Sequence, residues 1–504
     1  MRVLLMDPER DFDPGAEPPA HSADLLQDLE VETLLAAMAA GDRFLWDVAR
    51  AALVLSPENG TATVLHRQDV LKDGLANPAI VRELYGFATQ TIERERRLSW
   101  AFNSRQASTV LYGAVETLQV LSQALRRLRG LAEQHGHAFS SRGFATLFQT
   151  LQRELDDHYV AELDAHLERL RFRSGVLVGA ALGDGNQGTD YMLLRTTEAG
   201  PTWLQRLLGS APRGLTFAIS ERDEAGARAL SDLRDRGLNL VANAAAQSAE
   251  HLLGFFKLLR AELAFYVGCL NLHDALSRLG APRSFPVPEP PESRTLKFAE
   301  LYDVALALTT GRRPVGNTLE AAGANLAVIT GANQGGKSTF LRSMGLAQLM
   351  MQAGMFVGAE AFGGALATGL FTHYRREEDA TMQQGKLDEE LARMGAIAER
   401  IRPDAMILFS ESFASTNDRE GSEIARQVVT ALLARRVRVF MVTHLFEFAQ
   451  RLAARAGGET LFLRAERLAD GTRTFRIVPG APLETSYAED VFREVFSGAD
   501  GSPA

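Results

Sequence analysis

Cysteine is nearly absent: the 504 residues contain a single one, Cys269. That excludes an internal disulfide and any cysteine cluster around zinc. Its neighbours Tyr266, Val267 and Leu270 mark it as a core residue. Positive charge is also in deficit, with 54 Lys and Arg against 63 Asp and Glu and a net charge of −9. A chain coated in basic surface for nucleic acid is thereby excluded, although a local basic patch would be hidden in that sum. No apolar run is long enough for a bilayer; Leu252 to Leu270 is interrupted by Lys257, Arg260 and Glu262, so no membrane partner is expected. Val3-Leu4-Leu5 is too short for the apolar part of a secretory signal, and acidic residues follow at once. The expected compartment is the cytoplasm. Repeats are absent, and biased composition is confined to Asp11–Ala23, which is rich in Pro, Gly and acid. Residues 1–23 are therefore expected to form a disordered leader.

What is present is ordinary soluble globular composition, 46% hydrophobic and 23% charged, in a chain too long for one core. From Leu25 to about Arg173 apolar residues recur at three- and four-residue steps, as in Val31-Leu34-Leu35-Met38 and Leu118-Leu121-Leu125-Leu128, which predicts long packed helices over 24–174. The texture changes near Gly175. Val176-Leu177-Val178, the turn Gly183-Asp184-Gly185-Asn186-Gln187-Gly188 and Tyr191-Met192-Leu193-Leu194 predict a hairpin, and Leu215–Ile219 could add a strand. The glycines of that turn lack the following helix that a dinucleotide loop requires. A small β-containing insert is thus expected over 175–239. Helical periodicity returns over 240–284, where Leu252, Phe255, Phe256, Leu259, Leu263, Tyr266, Val267 and Leu270 form one broad face. Phe285-Pro286-Val287-Pro288-Glu289-Pro290-Pro291 predicts a linker over 285–295, because proline stiffens the chain and removes donors. Residues 296–504 have the alternation of an α/β domain.

That domain carries the most specific signal. Gly331-Ala332-Asn333-Gln334-Gly335-Gly336-Lys337-Ser338-Thr339 fits G-x-x-x-x-G-K-[ST], the phosphate-binding P-loop. The apolar run Leu326–Thr330 precedes it as a strand, and Phe340–Met351 follows at helical spacing. Glycines let backbone N–H groups turn toward phosphate oxygens, and the helix N-terminus adds partial positive charge. Lys337 would reach the β- and γ-phosphates of ATP, and Ser338 would ligate Mg2+. A second strand, Ala405–Phe409, ends in Ser410-Glu411, where such enzymes place an acidic pair. Ser410 could hold a metal-bound water without bringing charge, and Glu411 would orient or deprotonate the attacking water and stand near the metal. Val437–Val442 delivers Thr443 and His444 to the same sheet edge, where an imidazole could sense the γ-phosphate or orient the water. Leu461-Phe462-Leu463 and Thr474–Val478 flank Asp470-Gly471 as a terminal hairpin.

These residues resemble the MutS family of DNA mismatch-repair ATPases, in particular a short MutS-like protein without the N-terminal mismatch-reading domains. Thr330–Thr339 differs from T-G-P-N-x-G-G-K-S-T only at Ala332. Ser410–Gly421 lies where the family has D-E-x-G-R-G-T-S-T-x-D-G, with Glu411, Thr416 and Gly421 matching and Glu420 matching in charge. Thr443-His444 falls at the family's A-T-H strand end, Ser486-Tyr487-Ala488 resembles S-Y-G, and Gly311–Val315 resembles its R-H-P segment. The resemblance implies a multidomain fold: an all-α core and lever domain with a small clamp-like insert, then an ABC-like α/β P-loop ATPase domain. It also implies a homodimer through the ATPase domains. The family's S-x-F-x-x-E, which reaches the partner's nucleotide, is similar to Gly385–Glu390, with Glu390 kept and the serine replaced by Gly385; Lys386, Glu390 and Thr416 are the residues expected at the site in trans.

The implied activity is hydrolysis of ATP that drives a helical clamp on double-stranded or branched DNA, with a repair protein as a further partner. Ser410 in the family's Asp position bears on turnover. Arg126, Arg127, Arg129, Arg169, Arg171 and Arg173 are the expected phosphate contacts, opposed by Asp223, Glu224, Asp232 and Asp235. The alternative is a slow, nucleotide-switched scaffold for a protein partner. A transporter-type ATPase lacks its LSGGQ-like signature here, and a small-molecule kinase would leave the helical half without a purpose.

Overall fold

The computed structural model describes residues 2–97, 104, 106–172, 175–186, 188–194, 219–220, 222–321, 323–376, 385–455, 460–468 and 472–482. It separates into two compact units: Met1–Val3, Arg82–Ser140 and Phe144–Arg260 in one, and Leu4–Val81, Ser141–Gly143 and Ala261–Ala504 in the other. Among the described residues no helix is long and apolar enough to cross a membrane.

The first unit is built on helix packing. Helix Ala107–His135 buries Leu111, Ala114, Val115 and Leu118, a stripe at three- and four-residue steps. Against it lie Leu167 of helix Asp157–Leu170 and Leu238, Ala242, Ala245 and Ala249 of the long helix Glu224–Arg278. Alanine at three of the four facing positions of the long helix lets the backbones approach. Asp156 caps helix Asp157–Leu170 by accepting from Tyr159 N at 2.7 Å, satisfying one of the donors orphaned at a helix start. Strand β1 (Val178–Leu182) pairs antiparallel with β2 (Gly188–Leu193) around Gly185, whose φ of +69° is left-handed. Phe172, Val176 and Leu193 root this hairpin on the helical core. The boundary expected between 239 and 240 falls inside helix Glu224–Arg278. Its first turns are mostly exposed, so they carry no apolar stripe for periodicity to register. The strand expected at Leu215–Ile219 lies almost wholly outside the described residues, as does Gln187 of the turn.

The second unit contains helices Ser22–Asp28, Val31–Ala39, Arg43–Val54 and Thr61–Ala76. The helical stretch expected as one domain over 24–174 is therefore shared between the two units. The disordered leader is also corrected. Leu5 and Met6 are fully buried, and the buried carboxylate of Glu262 accepts from Leu5 N (2.6 Å), Met6 N (3.1 Å) and Phe12 N (2.9 Å). The His21 ring stacks on Phe371 at 4.1 Å. Composition alone favours disorder here, but a distant acceptor on a buried helix face supplies the amides with partners.

The strands of this unit are β3 (Val287–Glu289), β4 (Leu296–Leu301), β5 (Asn317–Glu320), β6 (Leu326–Thr330), β7 (Ala361–Ala365), β8 (Leu370–Tyr374), β9 (Met406–Ser410), β10 (Arg438–Val442), β11 (Thr460–Arg467) and β12 (Arg473–Pro479). One sheet has the order β3-β7-β4-β5 and the other β12-β11-β6-β10-β9-β8. In the larger sheet β11, β6, β10, β9 and β8 are parallel, and β12 closes the edge antiparallel. Every residue of β6, β9 and β10 is buried, the continuous apolar texture of parallel strands covered on both faces. The proline-rich stretch expected as a linker contains β3, paired with β7. Pro288 is tolerated because β3 is an edge strand, where a missing N–H costs no ladder bond.

Candidate active site

Functional side chains in parallel α/β sheets collect beyond the carboxyl ends of the strands. Here β6, β9 and β10 end together. β6 runs out at Thr330, and the chain turns through Gly331 (φ +117°) and Gly336 (φ +87°) into helix Lys337–Gln352. Both angles suit glycine and disfavour other residues. A Cβ on Gly335 would stand 3.0 Å from Ala332 O and 2.8 Å from Ala465 Cβ, so the loop has a cradle that side chains would fill. Lys337 is 5% exposed. Its Nζ donates to the carbonyls of Gly331 (2.9 Å) and Ala332 (2.8 Å). Burial pulls its pKa down, and the nearby Glu411 charge opposes this. Asn333, Gln334 and Ser338 are exposed at the mouth, and Arg473 of β12 donates to Gln334 Oε1 at 2.9 Å.

The other wall comes from β9 and β10. Ser410 Oγ donates to Ser338 Oγ at 3.2 Å, joining the end of β9 to the first turn of helix Lys337–Gln352 through the two hydroxyls expected to share a metal. Glu411 follows with φ +54°, an uncommon conformation for a residue with a side chain. Its N–H donates to Val442 O at 2.9 Å, and its Oε1 lies 3.1 Å from His444 Nε2. That hydrogen bond is the chief reason the Glu411 carboxyl is held below its usual range, with help from the charges of Lys337 and Arg375 against the cost of burial. Thr443 is buried, and its Oγ1 accepts from Leu445 N at 3.0 Å. Among the described residues no cluster of three His, Cys, Asp or Glu could hold a metal. The Ser338 and Ser410 hydroxyls and the Glu411 carboxylate are nevertheless hard oxygen donors of the kind Mg2+ takes, with phosphates and water completing its shell.

The residues expected to act in trans differ among themselves. Lys386 starts helix Lys386–Arg400. Thr416 is partly exposed and donates to Glu420 Oε2 at 2.6 Å. Glu390 is instead 6% exposed and engaged within its own chain: its carboxylate accepts from Phe413 N and Ser415 Oγ, both at 2.8 Å. It faces the segment after Glu411. Ser486-Tyr487-Ala488 lies outside the described residues.

Beside the loop is a cavity of about 340 Å³ whose lining includes Leu306, Val315, Gly336, Thr339, Phe340 and Phe475. A mostly apolar pocket of this size next to a phosphate cradle suits a planar base.

The sequence model of the MutS2 N-terminal domain matches residues 59–279, and that of MutS domain V matches residues 327–494. The chain is 26% identical over 245 residues to MutS protein homolog 4 of Mus musculus, covering 45% of this chain and 26% of that protein. It is 31% identical over 194 residues to the DNA mismatch repair protein MutS of Thermus aquaticus, covering 37% and 24%. With Endonuclease MutS2 of Thermus thermophilus it shares 29% over 168 residues, covering 33% and 22%. The chain belongs to the MutS family. It spans about a quarter of the length of these relatives.

In this MutS-family chain the loop, Ser410, Glu411 and His444 all lie within the domain V match. The scaffold alternative gains no support from these relatives, which are named for mismatch repair and endonuclease activity. Sequence reasoning missed the base-sized pocket. In sequence Phe475 is one residue of the terminal hairpin, and only the pairing of β12 with β11, and of β11 with β6, brings it to Gly336.

The expected DNA contacts also need sorting. Arg126 pairs with Asp164, Arg129 with Glu133 and Asp157 at 2.7 Å each, and Arg171 with Glu116 and Glu168 at 3.6 Å each. These three tie MutS helices to one another. Arg127 lies 5.1 Å over the Phe87 ring, and Arg169 donates to Ala165 O. Arg173 is outside the described residues.

Proposed function

We propose that this chain is an ATP-dependent DNA-binding protein of the MutS type, in which ATP binding and hydrolysis drive helical arms that hold and release DNA, in mismatch repair or a related repair or recombination process. The observation that carries the reading is the meeting of a P-loop lysine, a strand-end carboxylate and its histidine at one sheet edge.

Each residue has a role there. The backbone amides of Ala332–Thr339 receive phosphate oxygens at the helix N-terminus. Lys337 exchanges its two loop carbonyls for the β- and γ-phosphates. The pocket beside Phe475 takes the adenine. Ser338 and Ser410 hold Mg2+, which when bound offsets charge on the phosphates. Ionised Glu411 accepts a proton from the attacking water, and His444 fixes the carboxylate's direction. Ser410 supplies no charge, which weakens metal affinity and slows turnover relative to an aspartate there.

Two copies would meet through their ATPase domains, with Lys386 and Thr416 of each facing the other's nucleotide. Unchanged turnover on Lys386→Ala would remove that contact. DNA is held mainly through phosphates, so affinity is weak, independent of sequence and lower in high salt. Arg127 and Arg169 are the phosphate contacts this reading retains.

The test is ATP turnover with and without plain, mismatched and branched duplexes, beside Lys337→Ala and Glu411→Gln. The reading expects lost nucleotide binding in the first variant and, in the second, retained binding with turnover reduced to a small but measurable residue. Failure of the purified chain to bind adenine nucleotide with Mg2+ would overturn it.

A further inference from the structure

Behind Glu411 the chain runs through Ser412, Phe413, Ala414 and Ser415. Glu411 and Phe413 both have left-handed backbones, φ +54° and +63°. Two side-chain-bearing residues so close together in that region persist only where the surroundings dictate it. Two buried groups do so. Glu390 accepts from Phe413 N with one carboxylate oxygen and from Ser415 Oγ with the other, each at 2.8 Å. His373 lies on β8 opposite Phe409 of β9, with Nδ1 2.8 Å from Ser412 Oγ and Nε2 3.0 Å from Glu390 O. Burial pushes the His373 pKa down to about 4, so the ring is neutral near pH 7. A carbonyl only accepts; Nε2 therefore carries the proton toward Glu390 O, and the single hydrogen of the Ser412 hydroxyl is shared between Nδ1 and the His373 carbonyl, to which it also donates. The ring also stacks on Phe413 at 5.4 Å. His373, Ser412 and Phe413 are fully buried.

We propose that Glu390 and His373 are positioning residues for Glu411, fixing through the 412–415 turn where its carboxylate stands relative to Lys337 and Ser338. The proposal rests on the hydrolytic reading of Glu411 and deepens it. The turn is attached to the two faces that matter. One is β8, the neighbour of the strand that delivers Glu411. The other is helix Lys386–Arg400, on which Glu390 stands one turn after Lys386, on the same face. A shift of that first turn moves the carboxylate that pins Phe413 and, through it, Glu411. Contact with a second copy at Lys386 would in this way be felt at the hydrolytic carboxylate of the same chain.

The experiment measures steady-state ATP turnover and, separately, binding of a fluorescent ATP analogue for Glu390→Gln, Ser415→Ala, Glu411→Gln and the Glu390→Gln/Glu411→Gln double variant. Glutamine keeps the shape of Glu390 but can accept through only one of its two terminal atoms. Glu390→Gln is expected to lower kcat by about ten- to hundredfold while nucleotide affinity and KM stay within about twofold. Ser415→Ala, which removes one donor from a partly exposed position, moves kcat the same way by less; it serves as the test should Glu390→Gln fail to fold. In the Glu411→Gln background the loss from Glu390→Gln should vanish, because both act through one group. Unchanged kcat in Glu390→Gln or Ser415→Ala, a parallel loss of nucleotide affinity, or an undiminished further loss in the double variant would overturn the proposal. Absence of turnover in the wild-type chain would instead strike the hydrolytic reading itself.

Discussion

At the scale of single residues, the site combines a buried cation with little negative charge. Lys337 lies among carbonyls, and its lowered pKa reflects desolvation that, among the described residues, the charge of Glu411 offsets. A polyanion seated there would restore the lost solvation, which is why such a lysine is tolerated. Ser410 is the variable position. Its hydroxyl contacts Ser338 but adds no charge, so Ser410→Asp is expected to lower the Mg2+ concentration needed for half-maximal turnover by about tenfold, the range of one added charge-assisted contact. A Mg2+ titration of ATP turnover checks this, and an unchanged midpoint would show that Ser410 does not face the metal. The exposed pair Glu411–His444 belongs to the same scale. The apolar runs ending in Glu411 and His444 marked two strands delivering to one sheet edge, whereas the place of β10 between β6 and β9, which makes Glu411 and His444 neighbours, is visible only in the sheet order. The left-handed turn at Glu411 was not legible, because nothing in Ser-Glu-Ser-Phe marks a positive φ.

At the scale of elements, close approach decides more than propensity. A Cβ on Gly421, in the helix Asp418–Ala434, would stand 2.4 Å from Phe413 O. Gly421→Ala is expected to destabilise the fold by about 1–3 kcal/mol, the cost of overpacking a tight core, and to slow turnover because the Phe413 turn must shift. Thermal unfolding and kcat on the same sample test both effects, and an alanine variant with wild-type Tm would mean that the helix start yields freely. The family pattern pointed to Gly421, while its reason, a carbonyl underneath it, is visible only in three dimensions. Arginines on the helices of the first unit teach the converse. Sequence could assemble Arg126, Arg127, Arg129, Arg169 and Arg171 as a basic face, but the acids that neutralise three of them come from distant positions such as Asp157 and Asp164. Arg127→Ala should therefore weaken duplex binding and flatten its salt dependence by roughly one phosphate contact, whereas Arg126→Ala should chiefly lower Tm. Equal effects of the two on DNA affinity would contradict this sorting.

At the scale of the whole molecule, the two compact units do not follow chain order, since residues 4–81 cluster with 261–504. Periodicity identified the helices correctly but had no access to their assignment, which depends on contacts some two hundred residues apart. Glu262 makes the point in one side chain. It interrupts an apolar helix face and reads in sequence merely as a charge that excludes a membrane span. In the structure it is fully buried and accepts three amides from the N-terminal segment. Burial, aided by the charge of Asp11, pushes its pKa from 4.5 up to about 7 despite those amides. The folded state consequently holds this proton more tightly than the unfolded chain. Its contribution to stability is complete below about pH 4.5 and is lost as pH rises toward and through 7, amounting to no more than on the order of 3 kcal/mol. Asp7 and Glu411, whose values are lowered, act in the opposite direction but only near and below pH 4.5, so the windows separate. His373, whose pKa burial lowers to about 4, adds stability over the same range as pH rises, so the readout is the comparison: from pH 5 to pH 8 the Tm of the wild type should fall relative to that of Glu262→Gln, with faster amide exchange at Leu5 and Met6 in the wild type at the alkaline end. A pH dependence identical in the two proteins would mean that Glu262 stays ionised throughout, held by its three amides against the cost of burial.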